Sequence, residues 1–361
     1  MRYVDEFRDP GRARELLDRI ARRSTTAVRL MEFCGGHTHA ILRYGLRQLL
    51  PPTVSLLSGP GCPVCVTSSD DLDRALAMAR LPGVIMATFG DMMRVPSNRG
   101  SLQDAKAEGA DVRMVYSTLD ALAMARDNPD RAIIFLGIGF ETTAPTVAAA
   151  ILQAQAERLD NFYVFSLHKL TPPATKAILS AGEVQLSGII GPGHVTTIIG
   201  SDAWSFLPDA FGMPCAIAGF EPLDILRAIY ALVDMAERAV AEVRNAYARS
   251  VQPRGNQVAL QMMERVFESS AAQWRGLGTL PASGLSLQAK FSAFDAVRRF
   301  VVDVKPTCEP AGCRCGEVLR GVATPDECSL FARVCTPANP IGPCMVSGEG
   351  ACAAYVQYVG A

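Results

Sequence analysis

Seven of the eleven cysteines lie between Cys308 and Cys352, and three of the other four stand in two glycine-rich turns. Those turns are Cys34-Gly-Gly-His37 and Gly59-Pro-Gly-Cys62-Pro-Val-Cys65; the last cysteine, Cys215, lies in an apolar run and is assigned to the core. Cysteine sorted in this way points to metal binding, sulfur redox chemistry, or both. The tail reads Cys308-x4-Cys313-x-Cys315-x12-Cys328-x6-Cys335-x8-Cys344-x7-Cys352. An all-thiolate site selects zinc, copper(I) or an iron–sulfur cluster. Structural zinc usually takes paired short spacings, which are missing here. Wide, uneven spacing with Pro and Gly between suits a chain wrapped around a [4Fe–4S] cluster, which needs four ligands and leaves cysteines in surplus. A zinc-stapled tail is the competing reading, and inert disulfides suit a cytosolic chain least.

Cys34-Gly-Gly-His37-Thr-His39 follows a predicted strand and precedes a predicted helix over Ala40–Leu50. A cysteine at that junction feels the positive end of the helix dipole, which favours thiolate. Thiolate plus imidazole can hold zinc, iron or nickel; His37 is alternatively a base or a donor that orients a ligand. Cys62-Pro-Val-Cys65 has the spacing of a redox dithiol at a strand–helix turn, and it would equally make half a metal site. Gly137-Ile-Gly-Phe-Glu141 and Gly191-Pro-Gly-His194 place backbone N–H groups at helix starts. Neither is a Walker loop or a GxGxxG turn.

The elements that must position these residues follow a repeating pattern of apolar run, turn and helix. The runs are Val28–Phe33, Val54–Leu57, Val84–Phe89, Val112–Tyr116, Ala132–Ile138, Phe162–Ser166, Gly188–Ile190 and Cys215–Ala218. Helices are predicted over Glu6–Arg23, Asp70–Arg80, Ser101–Glu108, Leu119–Arg126, Pro145–Arg158, Pro172–Ala181 and Leu223–Ser250. Strands that are apolar throughout and alternate with helices imply parallel sheets covered on both faces. The fold class is α/β: two related parallel-sheet α/β domains plus a Cys-rich iron–sulfur domain. The expected divisions are 1–50 (N-terminal helix and the strand–turn–helix with Cys34), 51–145 (α/β with the CxxC), 146–290 (second α/β) and 291–361 (Cys-rich), with 251–305 helical and connective. Cys34, Cys62, Cys65, Glu141, His168, His194 and Glu221 all follow strands. The ligand crevice of a parallel sheet lies outside the strands' carboxyl ends, so these residues are expected to face one cleft. All four histidines are expected at strand ends rather than on helices.

Lys plus Arg 35 against Asp plus Glu 36 gives no basic field for nucleic acid or an anionic membrane. The start, Met1-Arg2-Tyr3-Val4-Asp5-Glu6, carries no apolar signal core. The longest apolar run, Ala132 to Phe140, is about half of what a spanning helix needs. A cytoplasmic protein is expected, where clustered cysteines are ligands or redox catalysts rather than structural disulfides.

Over essentially its full length the chain resembles the HypD family of [NiFe]-hydrogenase maturation proteins. The matching stretches are Cys34–His39, Gly59–Cys65, Gly139–Pro145, His168–Pro173, Gly191–His194, Gly219–Pro222 and the tail from Cys313 to Cys352. The resemblance implies a scaffold and electron-transfer protein that pairs with HypC and holds one Fe(II) while it acquires two cyanides and one carbon monoxide. HypE would donate the cyanide, and the Fe(CN)2CO unit would pass to the hydrogenase large subunit. It further implies Cys34 as the iron ligand, shared with a HypC cysteine, and Cys62 and Cys65 as a redox dithiol. Cluster ligands would come from Cys313 or Cys315, with Cys328, Cys335 and Cys352; Cys344 and the unused member of the pair could form a disulfide. His37, Glu141 and His194 complete the candidate site. The alternative is a free-standing iron–sulfur thiol–disulfide oxidoreductase, which leaves Cys34-Gly-Gly-His37 unexplained.

Overall fold

Residues 4–305 and 309–360 are described by a computed structural model. All eight apolar runs become strands, and each joins an all-parallel sheet. One sheet has five strands: β1 (Val28–Glu32), β2 (Val54–Ser58), β7 (Gly188–Pro192), β8 (Cys215–Ala218) and β9 (Val243–Asn245), in the order β2-β1-β7-β8-β9. Its register runs Val28 opposite Val54, Leu30 opposite Gly188 and Ile189 opposite Cys215. The other sheet has four: β3 (Val84–Thr88), β4 (Val112–Met114), β5 (Ala132–Gly137) and β6 (Phe162–Ser166), in the order β4-β3-β5-β6. Every residue of β3, β7 and β8 is buried, the pattern of strands covered by helices on both faces. An antiparallel hairpin of β10 (Phe267–Trp274) and β11 (Gly278–Leu287) completes the strands among the described residues.

Three expectations need correction. Sheet membership cuts across the divisions expected at residues 50 and 145. The four-stranded sheet is built from residues between Val84 and Ser166, while the five-stranded sheet takes two strands from before that stretch and three from after it. The reason is the crossover: β1 pairs β2 on one side and β7 on the other, so the chain leaves the first sheet, builds the second and returns. The helix expected from Leu223 to Ser250 ends at Glu237, where Ala239 takes φ 51° and the chain turns back as β9 along the open edge of β8. The stretch expected to be helical and connective holds the helix Gln257–Val266, then the hairpin, then two short helices, Ala289–Phe294 and Ala296–Arg299.

The hairpin and the tail both dock on the CxxC turn. Thr67 bridges Trp274, and the Arg275 N–H donates to the Val66 carbonyl at 2.9 Å. The tail is mostly turns with two short helices, Cys315–Leu319 and Ala351–Tyr358. The second packs Ala354 and Tyr355 against Leu42, on the helix that begins beside Cys34.

The loops after β1 and β2 are laced together through backbone. The Gly35 N–H donates to the Gly61 carbonyl at 3.0 Å, and the Gly59 N–H to the Glu32 carbonyl at 2.8 Å. A Cβ on Gly61 would stand 2.3 Å from the Cys34 nitrogen, so only glycine permits this approach. Gly61→Ala is therefore expected to push the two loops apart and cost roughly 1–3 kcal/mol of stability, as overpacking does. Urea unfolding with an unchanged m-value reads the loss; a variant as stable as the parent would mean that the loops do not meet.

Candidate functional site

The carboxyl ends of strands from both sheets converge on one cleft. Its wall carries Cys34 after β1, Gly61, Pro63 and Val64 after β2, and Phe89, Gly90, Asp91 and Met92 after β3. Val115 and Tyr116 follow β4, Ile138 to Phe140 follow β5, and His194 and Val195 follow β7. Ser347 and Glu349 reach in from the tail. The crevice expected from parallel-sheet topology is thus present, and it is shared between the two sheets.

Cys34 precedes the helix Gly35–Arg43 and is buried. The expectation of a ready thiolate is reversed here. Burial, then the charges of Glu349 and Glu32, push the thiol up to about 12, against the opposing pull of the Gly36 and His37 backbone N–H groups. The helix-terminal field is present but loses to desolvation. Glu32, which the sequence reading missed, accepts the Cys34 N–H at 2.8 Å and is pushed up to about 8 by burial. Its other oxygen accepts the Thr38 hydroxyl, which also meets Ser58 at 3.2 Å.

His37 and His194 flank one ring. Phe220 stacks on His37 at 4.6 Å and on His194 at 3.8 Å. His37 is fully buried, and its Nε2–H lies 3.0 Å from the Gly219 carbonyl and 3.2 Å from that of Ala218. Carbonyl partners place the proton on Nε2, which leaves Nδ1 as a lone pair without a protein partner. Burial lowers His37 to about 4 and lowers His194 as well, so both are neutral near pH 7. His37 and His194 sit in the first turns of helices that begin at strand ends, and His39 follows in the second turn of the helix Gly35–Arg43, against the expectation that the histidines would lie off the helices' surfaces. His39 is held by the Tyr358 hydroxyl at 3.0 Å.

Cys62 and Cys65 form a buried disulfide with Cα atoms 5.2 Å apart, and the residues between them, Pro63 and Val64, line the cleft. Of the seven residues expected to face one cleft, Cys34 and His194 line it, Cys62 and Cys65 lie behind Pro63 and Val64, and the other three point elsewhere. Glu141 caps the helix Thr171–Ala181 instead: its Oε1 accepts the Thr171 N–H at 2.7 Å and its Oε2 the Thr171 hydroxyl at 2.9 Å. His168 is buried against Ser166, its Nδ1 3.0 Å from that hydroxyl. Glu221 takes a two-point contact from Arg8. Its place after a strand is real, but its side chain turns to the surface cation.

A second cavity collects the tail. Cys313, Cys315, Cys328, Cys335, Cys344 and Cys352 all line it, with Val318, Leu330, Phe331 and Met345 between them. Cys308 lies outside the described residues. All six thiols are unpaired, so Cys344 is in no disulfide. Cys315 accepts from Cys313 and Cys344 and faces Arg275, which together lower it well below an ordinary thiol and make it the readiest thiolate of the group. Among the described residues no three His, Cys, Asp or Glu side chains stand close enough to share a single metal ion. A cubane cluster spreads its thiolates more widely than one ion does, and the donor set is of the required kind. The Ile341 N–H already donates to Cys335 Sγ at 3.3 Å, as amides do around iron–sulfur clusters, and a Cβ on Gly342 would stand 2.7 Å from Cys313 Sγ. The residues present fit a [4Fe–4S] cluster held among these six.

Glu349 connects the two sites. Its carbonyl would stand 2.3 Å from a Cβ on Gly35, so the tail rests directly on the Cys34 loop. Its carboxyl is raised by burial and by Asp91, which in turn accepts the Ser347 hydroxyl at 2.7 Å.

Comparison with known proteins finds relatives along nearly the whole chain. The family model described as "HypD: Hydrogenase formation hypA family" matches residues 11–359. The chain is 52% identical to the hydrogenase maturation factor HypD of Azotobacter vinelandii, over 99% of this chain and 97% of that one. It is 46% identical to HypD of Rhodobacter capsulatus, over 100% and 99% of the two chains. With HypD of Escherichia coli K12 it shares 44% identity over 99% and 98%.

The cap role of Glu141 has a pH signature. Burial raises its carboxyl to about 7, with only partial relief from its hydrogen bonds. A raised carboxyl favours folding while protonated, so the stability it contributes is full below the unfolded value of about 4.5 and is lost as pH rises through about 7. Glu141→Gln keeps a hydrogen-bonding side chain but removes the titration. The parent should lose stability relative to this variant across that window, by up to about 3 kcal/mol. Urea unfolding from about pH 4 to 8 measures the difference; parallel curves would remove the assignment.

Proposed function

The chain belongs to the HypD family of hydrogenase maturation factors, and from that premise we propose that it is the scaffold on which the Fe(CN)2CO unit of a [NiFe]-hydrogenase is built. The observation that supports this most is the shared cleft, where Cys34, His194 and the CxxC turn meet beneath tail residues Ser347 and Glu349. Cys34 offers the iron cargo one thiolate, and a HypC cysteine entering the cleft supplies a second. Releasing the Cys34 proton costs energy in this buried setting, so the thiol loads only when a metal takes the proton's place. His37 and His194, neutral and stacked on Phe220, keep positive charge away from an iron that must accept anionic cyanide from HypE.

The Cys62–Cys65 pair is the redox dithiol. Its disulfide takes two electrons and two protons to become two thiols, and returns them to a cyanate- or thiocyanate-like precursor or to CO2. Cys313 or Cys315, with Cys328, Cys335 and Cys352, hold the resident [4Fe–4S] cluster. When bound, that cluster supplies single-electron transfer. The cavity leaves the choice between Cys313 and Cys315 open, since both line it.

Infrared spectra of the anaerobic complex with HypC test this. The parent should show cyanide and carbonyl bands. Cys34→Ser should lose iron and bands together. Cys65→Ser should keep full cluster absorption yet show less than about a tenth of the bands. Bands persisting in Cys65→Ser would end the dithiol role, and bands persisting in Cys34→Ser would end the scaffold reading at this site.

A further inference from the structure

Arg275 is a cation in an unusual place. It sits at the turn of the β10–β11 hairpin and is 2% exposed. Its backbone N–H donates to the Val66 carbonyl at 2.9 Å, and its Nε donates to the Thr67 carbonyl at 3.1 Å, so it grips the last residues of the CxxC helix Pro63–Val66. Its Nη1 is paired with Glu309, whose side chain is 47% exposed. Its Nη2 is buried and has no acceptor among the described residues. The thiols of Cys315, Cys344 and Cys313 also act on its charge, and the adjoining Gly276 packs on Gly316, one residue past Cys315.

A guanidinium cannot shed its proton at accessible pH, so this charge is permanent. Burying it beside thiols is costly unless something negative repays the desolvation. Glu309 is half in water and repays only part. Among the described residues no oxygen accepts from Nη2, and apart from Glu309 the charges that act on the guanidinium are those of the thiols lining the tail cavity.

We propose that Arg275 sets the reduction potential of the tail cluster, acting as a fixed positive charge that favours the reduced form while its backbone anchors the dithiol turn to the same cavity. The proposal rests on the reading that the tail cysteines hold a [4Fe–4S] cluster. A one-electron reduction adds one negative charge to the cluster, taken from an external donor. A buried cation stabilises that charge, because cluster net charge and hydrogen bonds to sulfur set the potential. Glu309 works in the opposite sense by neutralising part of the guanidinium.

The experiment is an EPR-monitored redox titration of the full chain, purified anaerobically, with dithionite as the donor and iron counted in each sample. Arg275→Gln is expected to keep its iron but show about a tenfold lower ratio of reduced to oxidised cluster at a fixed poise, which is a shift of 59 mV for one electron. Arg275→Lys, which retains charge but not the fork, should recover part of it. Glu309→Gln should move the potential upward. A merely structural role would lower the melting temperature without these opposed shifts. Fully iron-loaded Arg275→Gln and Glu309→Gln at the parent potential would overturn the proposal. If Arg275→Gln does not fold, the half-exposed Glu309→Gln decides alone, and an unmoved potential there overturns it. A parent protein without a cluster signal would instead remove the cluster reading itself.

Discussion

Everything at the cleft depends on one topological constraint: parallel strands put all their carboxyl ends on the same side. Two parallel sheets in one chain create two such sides, and here they face each other. The loop after β1 brings Cys34, the loop after β2 brings the CxxC, and the loops after β3, β4 and β5 form the opposite wall. No loop needs to be long, because each already starts at the rim. The backbone lacing of Gly35 to Gly61 and Gly59 to Glu32 then fixes the cysteine loops against one another with ladder-type hydrogen bonds rather than side chains. Such fixing is stiff, which suits a site that must hold a metal while its ligands change.

The second organising fact is low polarity. Glu32 is pushed up to about 8 by burial, and His37 and His168 are pushed down, so three titratable groups near or beside the site sit neutral around pH 7, while Glu141, pushed up to about 7, is only partly charged there. A neutral surround makes the few charges that remain felt over longer distances. Glu349, Asp91 and Arg275 are therefore the groups whose position matters electrostatically. Two of the three sit on the tail or beside its cavity.

Much of this was legible from residues alone, and the failures have identifiable physics. Runs such as Ile133–Leu136 are apolar on both faces and can only be buried strands, so the parallel sheets were readable. The order in which strands join sheets was not, because β1 is equally apolar whichever neighbour it takes. The helix after Pro222 was overextended because Ala-rich sequence continues past Glu237, and the stop comes from Ala239 in a left-handed conformation that alanine rarely adopts. The hairpin escaped notice because Phe267–Trp274 is mostly Ser, Ala, Glu and Gln, with weak strand signals. Glu141 stood in a glycine-rich turn like a catalytic acid, yet its carboxylate is consumed by Thr171 thirty residues away. Glu32, inside the run Val28–Phe33, gives no signal in the sequence and is the acceptor under Cys34. Cys34, the CxxC and the tail cysteines were readable because cysteine in a turn has few structural uses.

The contact between Gly35 and Glu349 joins residues near opposite ends of the sequence. Loop-closure entropy makes such a contact among the last to form. In chain order the Cys34 loop precedes both sheets, while its cover of Ser347 and Glu349 follows them. A chain under synthesis can thus build both sheets while the cleft stays open and its cysteine unshielded. The site is enclosed only once the tail has been made, so a partly made scaffold holds Cys34 in an open cleft.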